Sequence, residues 1–464
     1  MDTAKNPLGI EPVGKLMLKF SVPSIIAMLV GALYNIVDQL FIGHAVGTDG
    51  NAATNIAFPL STMCISLALM FGVGGASCYN LSLGRGDMKK APFFIGNSFV
   101  MLLFSGFVLC TVTQIFLVPL LTLFGAPETV MPYAQEYVRI TAFGFPFLIL
   151  TTGGGHFLRA DGSPGMTMFC SIIGAVINTG LDALFVFGFG WGMTGAAAAT
   201  VIGQVISGGI VIWYIFFRFR TSKLTKEHFR PRAAVILRTA SIGLASFINQ
   251  IAMMTVQIVL NNQLKHYGGL SVYGDAIPLA AAGIVMKVNQ IVFSFSIGLG
   301  QGSQPIESFN YGAQKYPRVK KALLFAAGTS FAISLVCFVF FQVFPRQILS
   351  LFGNGTEEYF AFGEKFFRIF LFFVPFVSLQ PVASTFFTSI GKPIKGAILS
   401  LSRQILLFLP LTVVLPMFFG IEGIMYAGPC GDCISSVLAA TMVTAEFALM
   451  KKQEKALKAP EARE

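Results

Sequence analysis

The chain has 464 residues, of which 55% are hydrophobic and only 11% charged, with a mean hydropathy of +0.73. A soluble domain carries about 25% charged residues, so an ordinary water-facing surface is excluded. The net charge of +11 could suit nucleic acid, but its placement along the chain excludes that reading too.

Apolar runs long enough to meet the ~20 residues that cross a bilayer predict twelve helices. Their spans are 17–42, 53–83, 92–119, 133–157, 165–189, 193–217, 235–262, 277–309, 319–343, 361–389, 395–419 and 422–449. The second and eighth are long enough to be tilted or broken. Lys5, Lys15 and Lys19 precede a full-length span, not the short apolar core of a cleavable signal. Of the 32 Lys and Arg, 25 fall on the segments facing the same side as the N-terminus, and four fall on the opposite segments or helix mouths. Arg139, Lys287 and Arg403 lie within helices. Because basic loops stay inside, the bias predicts both termini in the cytoplasm of a multi-pass plasma membrane protein, here the bacterial cytoplasmic membrane. The expected partners are small-molecule substrates and the lipid bilayer, with no nucleic acid, for a monomer.

The chain repeats itself. "GVGGASCYNLSLGRGDMKKA" (72–91) aligns with "GLGQGSQPIESFNYGAQKYP" (298–317) at an offset of 226 residues, matching Gly72, Gly74, Ser77, Ser82 and Gly86 to Gly298, Gly300, Ser303, Ser308 and Gly312. "YVRITAFGFPF" (137–147) matches "FFRIFLFFVPF" (366–376), and "DGSP" (161–164) matches "IGKP" (390–393). The fold class is therefore an all-α membrane protein, with twelve transmembrane helices in two parallel six-helix lobes around a central cavity. The first lobe spans 1–217, a basic linker 218–234, the second lobe 235–450 and a tail 451–464. Such repeats suit alternating access around a midplane site, although major-facilitator carriers share a six-plus-six plan.

Two acids lie in the apolar spans of the first lobe. A charge at a bilayer centre costs roughly 2.5–3.5 kcal/mol on insertion scales, which marks Asp38 and Asp182 as functional candidates. Asp38 lies 18 residues beyond Phe20, roughly 27 Å along its helix. Asp182 lies 16 residues beyond Met166, roughly 24 Å along a helix that starts from the same side. Thr200 falls about 10 Å below the outer face, at the same level. Tyr34 precedes Asp38 by four residues and Asn178 precedes Asp182 by four, so each shares its carboxylate's face. Buried neighbouring carboxyls bind a proton more tightly than exposed ones. With amide and hydroxyl oxygens they also make a hard oxygen cage for Na⁺, from Asp38, Asn178, Asp182 and Thr200. Pro23 lacks a backbone N–H and lets the first helix bend.

Three motifs carry a family resemblance. "SVPSIIAMLVGALYNIVDQLFIG" reads P-x(14)-D-x(4)-G. "INTGLDALFVFGFGWGMTGAAAATVIGQ" reads N-x(3)-L-D-x(6)-G, followed by a Gly turn and "GAAxAT". "PIESFNYGA" follows a glycine-rich eighth helix. From about residue 15 to 450 the chain resembles the multidrug and toxic compound extrusion (MATE) family, in its MepA-like branch. The resemblance implies twelve helices, no ATP and no cofactor, and export of amphipathic, often cationic, compounds by H⁺ or Na⁺ antiport. It also places a cation site on Tyr34, Asp38, Asn178, Asp182 and Thr200, and adds Tyr137.

The second lobe departs from that pattern. Gln257 stands near the repeat position of Asp38, and "LLFLPLTVVL" (406–415), without an acid, stands opposite Asp182. Some branches carry coupling acids in helices 7 and 10, where this chain has none within the membrane. Lys287, Arg403 and Asp432 sit about 12–16 Å deep, where Asp432 is expected to pair with Arg403 or Lys287, leaving one cation for the cavity. Gln257, Asn261, Asn289 and Gln290 add polar surface there. No metal site is expected beyond that Na⁺ option, since "CGDC" (430–433) lacks a second pair, and "GGGHFLRADG" (153–162) lacks the Lys-Ser/Thr of a phosphate loop. "RGD" (85–87) falls on the basic side, and Asn354 heads a sequon on an outer loop. No hydrolase triad is present, so an enzyme is not expected. The alternatives are a lipid-linked saccharide flippase of the related superfamily and a non-transporting scaffold or sensor.

Overall fold

The structure is a computed structural model that describes residues 6–274, 276–351 and 356–458. The sequon residue Asn354 lies outside the described residues. Among the described residues ten helices are each long and apolar enough to cross a bilayer, and a pair bent by 53° supplies an eleventh crossing; the interrupted pair Met131–Thr141 and Phe145–Ala160, which falls short of that length, stands in the fourth place and makes twelve. In chain order the spans are 1 (Val13–Ala45), 2 (Thr48–Gly84), 3 (Ala91–Ile115), 4 (Met131–Thr141 with Phe145–Ala160), 5 (Pro164–Asp182) and 6 (Gly192–Phe217). The second half gives 7 (Ala233–Gly269), 8 (Ala276–Gly312), 9 (Tyr316–Val343), 10 (Glu357–Phe370 with Val374–Val377 and Leu379–Ser389), 11 (Pro393–Leu401 with Leu409–Phe419) and 12 (Ile421–Lys458).

The irregularities fall in other spans than expected. Spans 2 and 8 run unbroken for 37 residues each, even with Pro59 and Pro305 inside them. Span 1 likewise continues through Pro23. The interrupted spans are 4 and 10, the two that share the R-I-x(4)-F/V-P-F sequence. In each the break frees a backbone carbonyl, and a glutamine on the preceding span satisfies it: Gln114 Nε2 donates to Arg139 O (2.7 Å), and Gln342 Nε2 to Arg368 O (3.0 Å). An unsatisfied carbonyl in hydrocarbon costs several kcal/mol, so this repeated device is what permits the breaks. The "DGSP" and "IGKP" segments also form one turn twice. Gly162 and Gly391 take positive φ (81° and 76°), and Pro164 and Pro393 open the next helix, where a missing N–H costs nothing.

Spans 1 and 8 lie antiparallel along the seam between the lobes, as do spans 2 and 7. Both contacts are at backbone distance because glycines face the seam. A Cβ on Gly298 or Gly302 would stand 2.7 and 2.6 Å from the Cα of Ile25 and Ser21, and one on Gly243 would stand 1.7 Å from Met70 O. Spans 2 and 8 run parallel and converge on the face that carries the basic segments. There a Cβ on Gly84 would fall 2.1 Å from Phe309 O, and one on Gly312 2.4 Å from Leu81 O. Polar contacts lock the same end. His156 Nδ1 lies 3.1 Å from Gln304 Oε1, and Gln304 Nε2 donates to Ser77 Oγ (3.0 Å), joining the two lobes. The short helix Pro7–Ile10 is held against span 8 by Asn310 Nδ2, which donates to Leu8 O (2.9 Å), and by Arg318 Nη2, which donates to Leu8 O (3.1 Å) and Glu11 O (2.5 Å). The basic face is therefore the closed end of the bundle.

Gly312→Val should force this end apart, because the obstructing atoms are backbone. Maleimide labelling of Cys78, which is buried on span 2, is expected to rise at least several-fold over wild type when mapped by mass spectrometry. Unchanged labelling would mean that the crossing is not what closes the basic face.

Candidate cation site and the inter-lobe polar cluster

The first-lobe acids meet. Span 5 ends at Asp182 and continues as one π turn, Ala183–Gly188. Such wide turns re-aim side chains and recur at functional sites. Asp182 is fully buried and Asp38 is 8% exposed. Their carboxyl groups lie within hydrogen-bonding reach of each other. Asn178, one turn below Asp182, donates from Nδ2 to Thr200 Oγ1 on span 6 (3.2 Å). The hydroxyls of Tyr34 and Tyr137 lie close to the Thr200 hydroxyl and near enough to feel the charge of both carboxyls. The structure thus brings together all six residues singled out in the first lobe.

Four oxygens in this cluster are buried without a hydrogen-bond partner: Asp38 Oδ1, Asp182 Oδ1 and Oδ2, and Asn178 Oδ1. An unpartnered buried polar atom costs about 1–3 kcal/mol, and more if charged. Two carboxyls at this separation repel each other when both are ionised. The donor set fits a small hard cation or a shared proton, because it is all oxygen and supplies two formal negative charges.

One residue that the sequence pattern does not single out braces the site. Glu136, next to Tyr137, accepts at Oε1 from the backbone N–H of Thr194 (3.0 Å) and from the Thr194 hydroxyl. This carboxylate caps the N-terminus of span 6, a favourable end for negative charge. It ties span 4 to the first turn of span 6, six residues before Thr200. In the sequence nothing marks Glu136, just inside the predicted span 133–157, because its partner is 58 residues away.

In the second lobe the three charged residues do not form one cluster. Arg403 Nε donates to Asp432 Oδ1 (2.9 Å), an ion pair with both side chains largely buried. Arg403 lies within a π segment of span 11, Ser402–Phe408, and its guanidinium sits 5.3 Å from the centroid of the Phe293 ring. Lys287 turns away. Its Nζ reaches across the seam to Gln39 Oε1 (3.5 Å), the residue after Asp38. It makes no ion pair among the described residues. Gln257 donates to Asn261 Oδ1 (3.0 Å), Gln290 is exposed, and Asn289 Oδ1 is buried without a partner.

Two further buried acids escape the sequence reading. Glu446 is fully buried between Lys392 and Lys395, the latter at 2.7 Å. Glu307 is fully buried on span 8, where Ser389 Oγ donates to its Oε2 (2.7 Å) and its Oε1 has no partner. Each lies within three residues of the end of an apolar run, where a linear reading assigns acids to water.

Fold and site together define a helical membrane carrier with two homologous halves. The chain belongs to the MatE family, whose model matches residues 23–184 and 245–414, one stretch in each half. Multidrug export protein MepA of Staphylococcus saprophyticus is 25% identical over 93% of this chain and 93% of its own. An FAD transporter of Shewanella oneidensis is 23% identical over 92% of this chain and 93% of its own. Among solved structures, a MATE protein in the straight conformation superposes with a TM-score of 0.89 at 22% identity, covering 96% of this chain and 98% of that one. That last likeness supports the twelve-helix architecture.

Removing one partner of a buried ion pair costs about 3–5 kcal/mol. Asp432→Ala should therefore lower the melting temperature in detergent. Arg403→Met in that background should recover part of the loss and Lys287→Met should not. Rescue by Lys287→Met alone would contradict the pairing.

Proposed function

We propose that the protein is a secondary active exporter of amphipathic, often cationic, compounds. It sits in the bacterial cytoplasmic membrane with its basic face inward and works by alternating access. Export is driven by antiport of H⁺ or Na⁺ at the first-lobe site. The observation that carries this reading is the pair Asp38 and Asp182, buried together with unpartnered oxygens and with no ion-pair partner among the described residues. Family membership and the similarity to MepA support the transport class and the multidrug substrates.

In this mechanism the cation is a co-substrate. Asp38 and Asp182 bind it, and Asn178 and Thr200 contribute neutral oxygens if it is Na⁺. Tyr34 and Tyr137 close the site from water through Thr200. Loading relieves the repulsion of the two carboxyls and lets spans 1 and 5 approach. Release makes the charged pair seek water. Because span 1 also forms half of the seam with span 8, a change in its packing is felt by the second lobe. Pro23, with no N–H to donate, is where span 1 bends most easily.

A second reading concerns the substrate. Lys287 faces a neutral glutamine at the seam, and an unpaired cation there favours anionic or polar aromatic compounds over lipophilic cations. The similarity to an FAD transporter points the same way. Export of a flavin nucleotide by wild type, lost in Lys287→Gln, would select this reading. Cationic-dye export that survives Lys287→Gln would select the first.

Asp182→Asn should abolish dye efflux from cells while leaving protein in the membrane, since a neutral amide is cheaper in lipid than a charge. Asp38→Asn should behave alike. The double variant should be little worse than either single one, as expected for residues acting as a unit. Wild-type efflux from a well-expressed Asp182→Asn protein would refute the assignment.

A further inference from the structure

A groove of about 760 Å³ opens on the basic face of the first lobe, between the first turns of span 1, the start of span 5 and the end of span 6. Lys19, Arg218 and Arg220 line it. All three are exposed, and none is in an ion pair among the described residues. The rest of the lining is mostly apolar. Phe169, Ile210 and Trp213 form much of it, and Phe169 and Trp213 remain 46% and 45% exposed. The Arg218 guanidinium lies 5.6 Å from the centroid of the Trp213 ring, so a cation and the apolar wall are joined at one point.

The lining holds no acid. The nearest carboxylate in sequence, Asp161, is buried and committed elsewhere. It accepts from the backbone N–H of Arg220 (2.9 Å), the N–H of Thr221 (2.7 Å) and the Tyr214 hydroxyl (2.8 Å). Burial pushes its carboxyl above the ordinary carboxylate range, against hydrogen bonds from Thr221, Arg220 and Tyr214. The first turn of span 5, Pro164 to Met166, also lines the groove and adds the partial positive charge of a helix N-terminus.

We propose that this groove binds one anionic phospholipid from the leaflet at the basic face. Its phosphate would sit among Lys19, Arg218 and Arg220, and one acyl chain would lie along Phe169, Ile210 and Trp213. Charge complementarity selects the head group, because basic pockets between membrane helices on this side recruit anionic lipid heads. The apolar wall selects a lipid over a soluble phosphate, which would leave that surface wet. Trp at a bilayer interface suits the same boundary. The groove also includes Pro23, whose missing N–H leaves the Lys19 carbonyl without its helical donor. A lipid seated there bears on span 1 at its softest point, 15 residues before Asp38.

Native mass spectrometry of the purified full-length protein, with equal phosphatidylglycerol and phosphatidylethanolamine, tests this directly. Wild type is expected to retain one phosphatidylglycerol preferentially. Each charge removed should weaken retention about fivefold, and K19Q/R218Q/R220Q on the order of 100-fold. These exposed substitutions have little effect on folding. Trp213→Ala should also weaken retention with all three charges present. The tail variant K451Q/K452Q/K455Q should match wild type, and soluble glycerol phosphate should fail to displace the lipid. Three results would each overturn the proposal: undiminished retention in the triple variant, an equal loss in the tail variant, or displacement by glycerol phosphate. The first places the lipid elsewhere, the second reduces the effect to general positive charge, and the third makes the groove a phosphate site.

Discussion

Two carboxyl groups, buried against each other with no ion-pair partner among the described residues, set the terms for the first lobe. Isolated ions inside a protein carry a penalty of several kcal/mol each, and like charges add repulsion. Asp38 and Asp182 can be held together only around something that brings positive charge. The surrounding structure serves that requirement. A π turn follows Asp182 directly, Asn178 and Thr200 bring neutral oxygens beside it, and Glu136 pins span 6 to span 4 next to Tyr137.

The second lobe handles buried charge in the opposite way. Asp432 has Arg403, and Glu446 has Lys392 and Lys395. These acids are neutralised by the chain itself and need no exchangeable ion. Glu307 is the exception, held by the Ser389 hydroxyl at the closed basic end. The two halves share a fold, down to the glutamine that satisfies the broken span in each, yet they divide the charge chemistry unequally. The seam connects them. Lys287 of the second lobe touches Gln39, one residue from Asp38, so a change at the acid pair is next to the first contact between lobes.

Much of this was legible in the sequence. The twelve apolar runs, the 226-residue offset and the depth of the two acids depend on local pattern and helical rise, which a linear reading captures. Tyr34 and Asn178 follow from four-residue spacing. Features that depend on partners distant in the chain were not legible. Glu136 caps a helix 58 residues on, and the breaks in spans 4 and 10 rest on Gln114 and Gln342. Helical depth placed Lys287, Arg403 and Asp432 at one level and predicted a pair with one cation left over, but it could not set rotation, which makes Arg403 the partner and turns Lys287 to the cross-lobe contact. Proline suggests a break from sequence, yet Pro23, Pro59 and Pro305 all sit inside continuous helices.

The central claim is that export is exchanged for a cation at the first-lobe pair. Reconstitution into proteoliposomes, with pH and Na⁺ gradients imposed separately and both ion and substrate flux recorded, tests it most directly. The account predicts that one of the two gradients drives substrate uphill, with the ion moving the opposite way in step. Substrate accumulation that needs neither gradient, or that proceeds with no counter-movement of H⁺ or Na⁺, would contradict it.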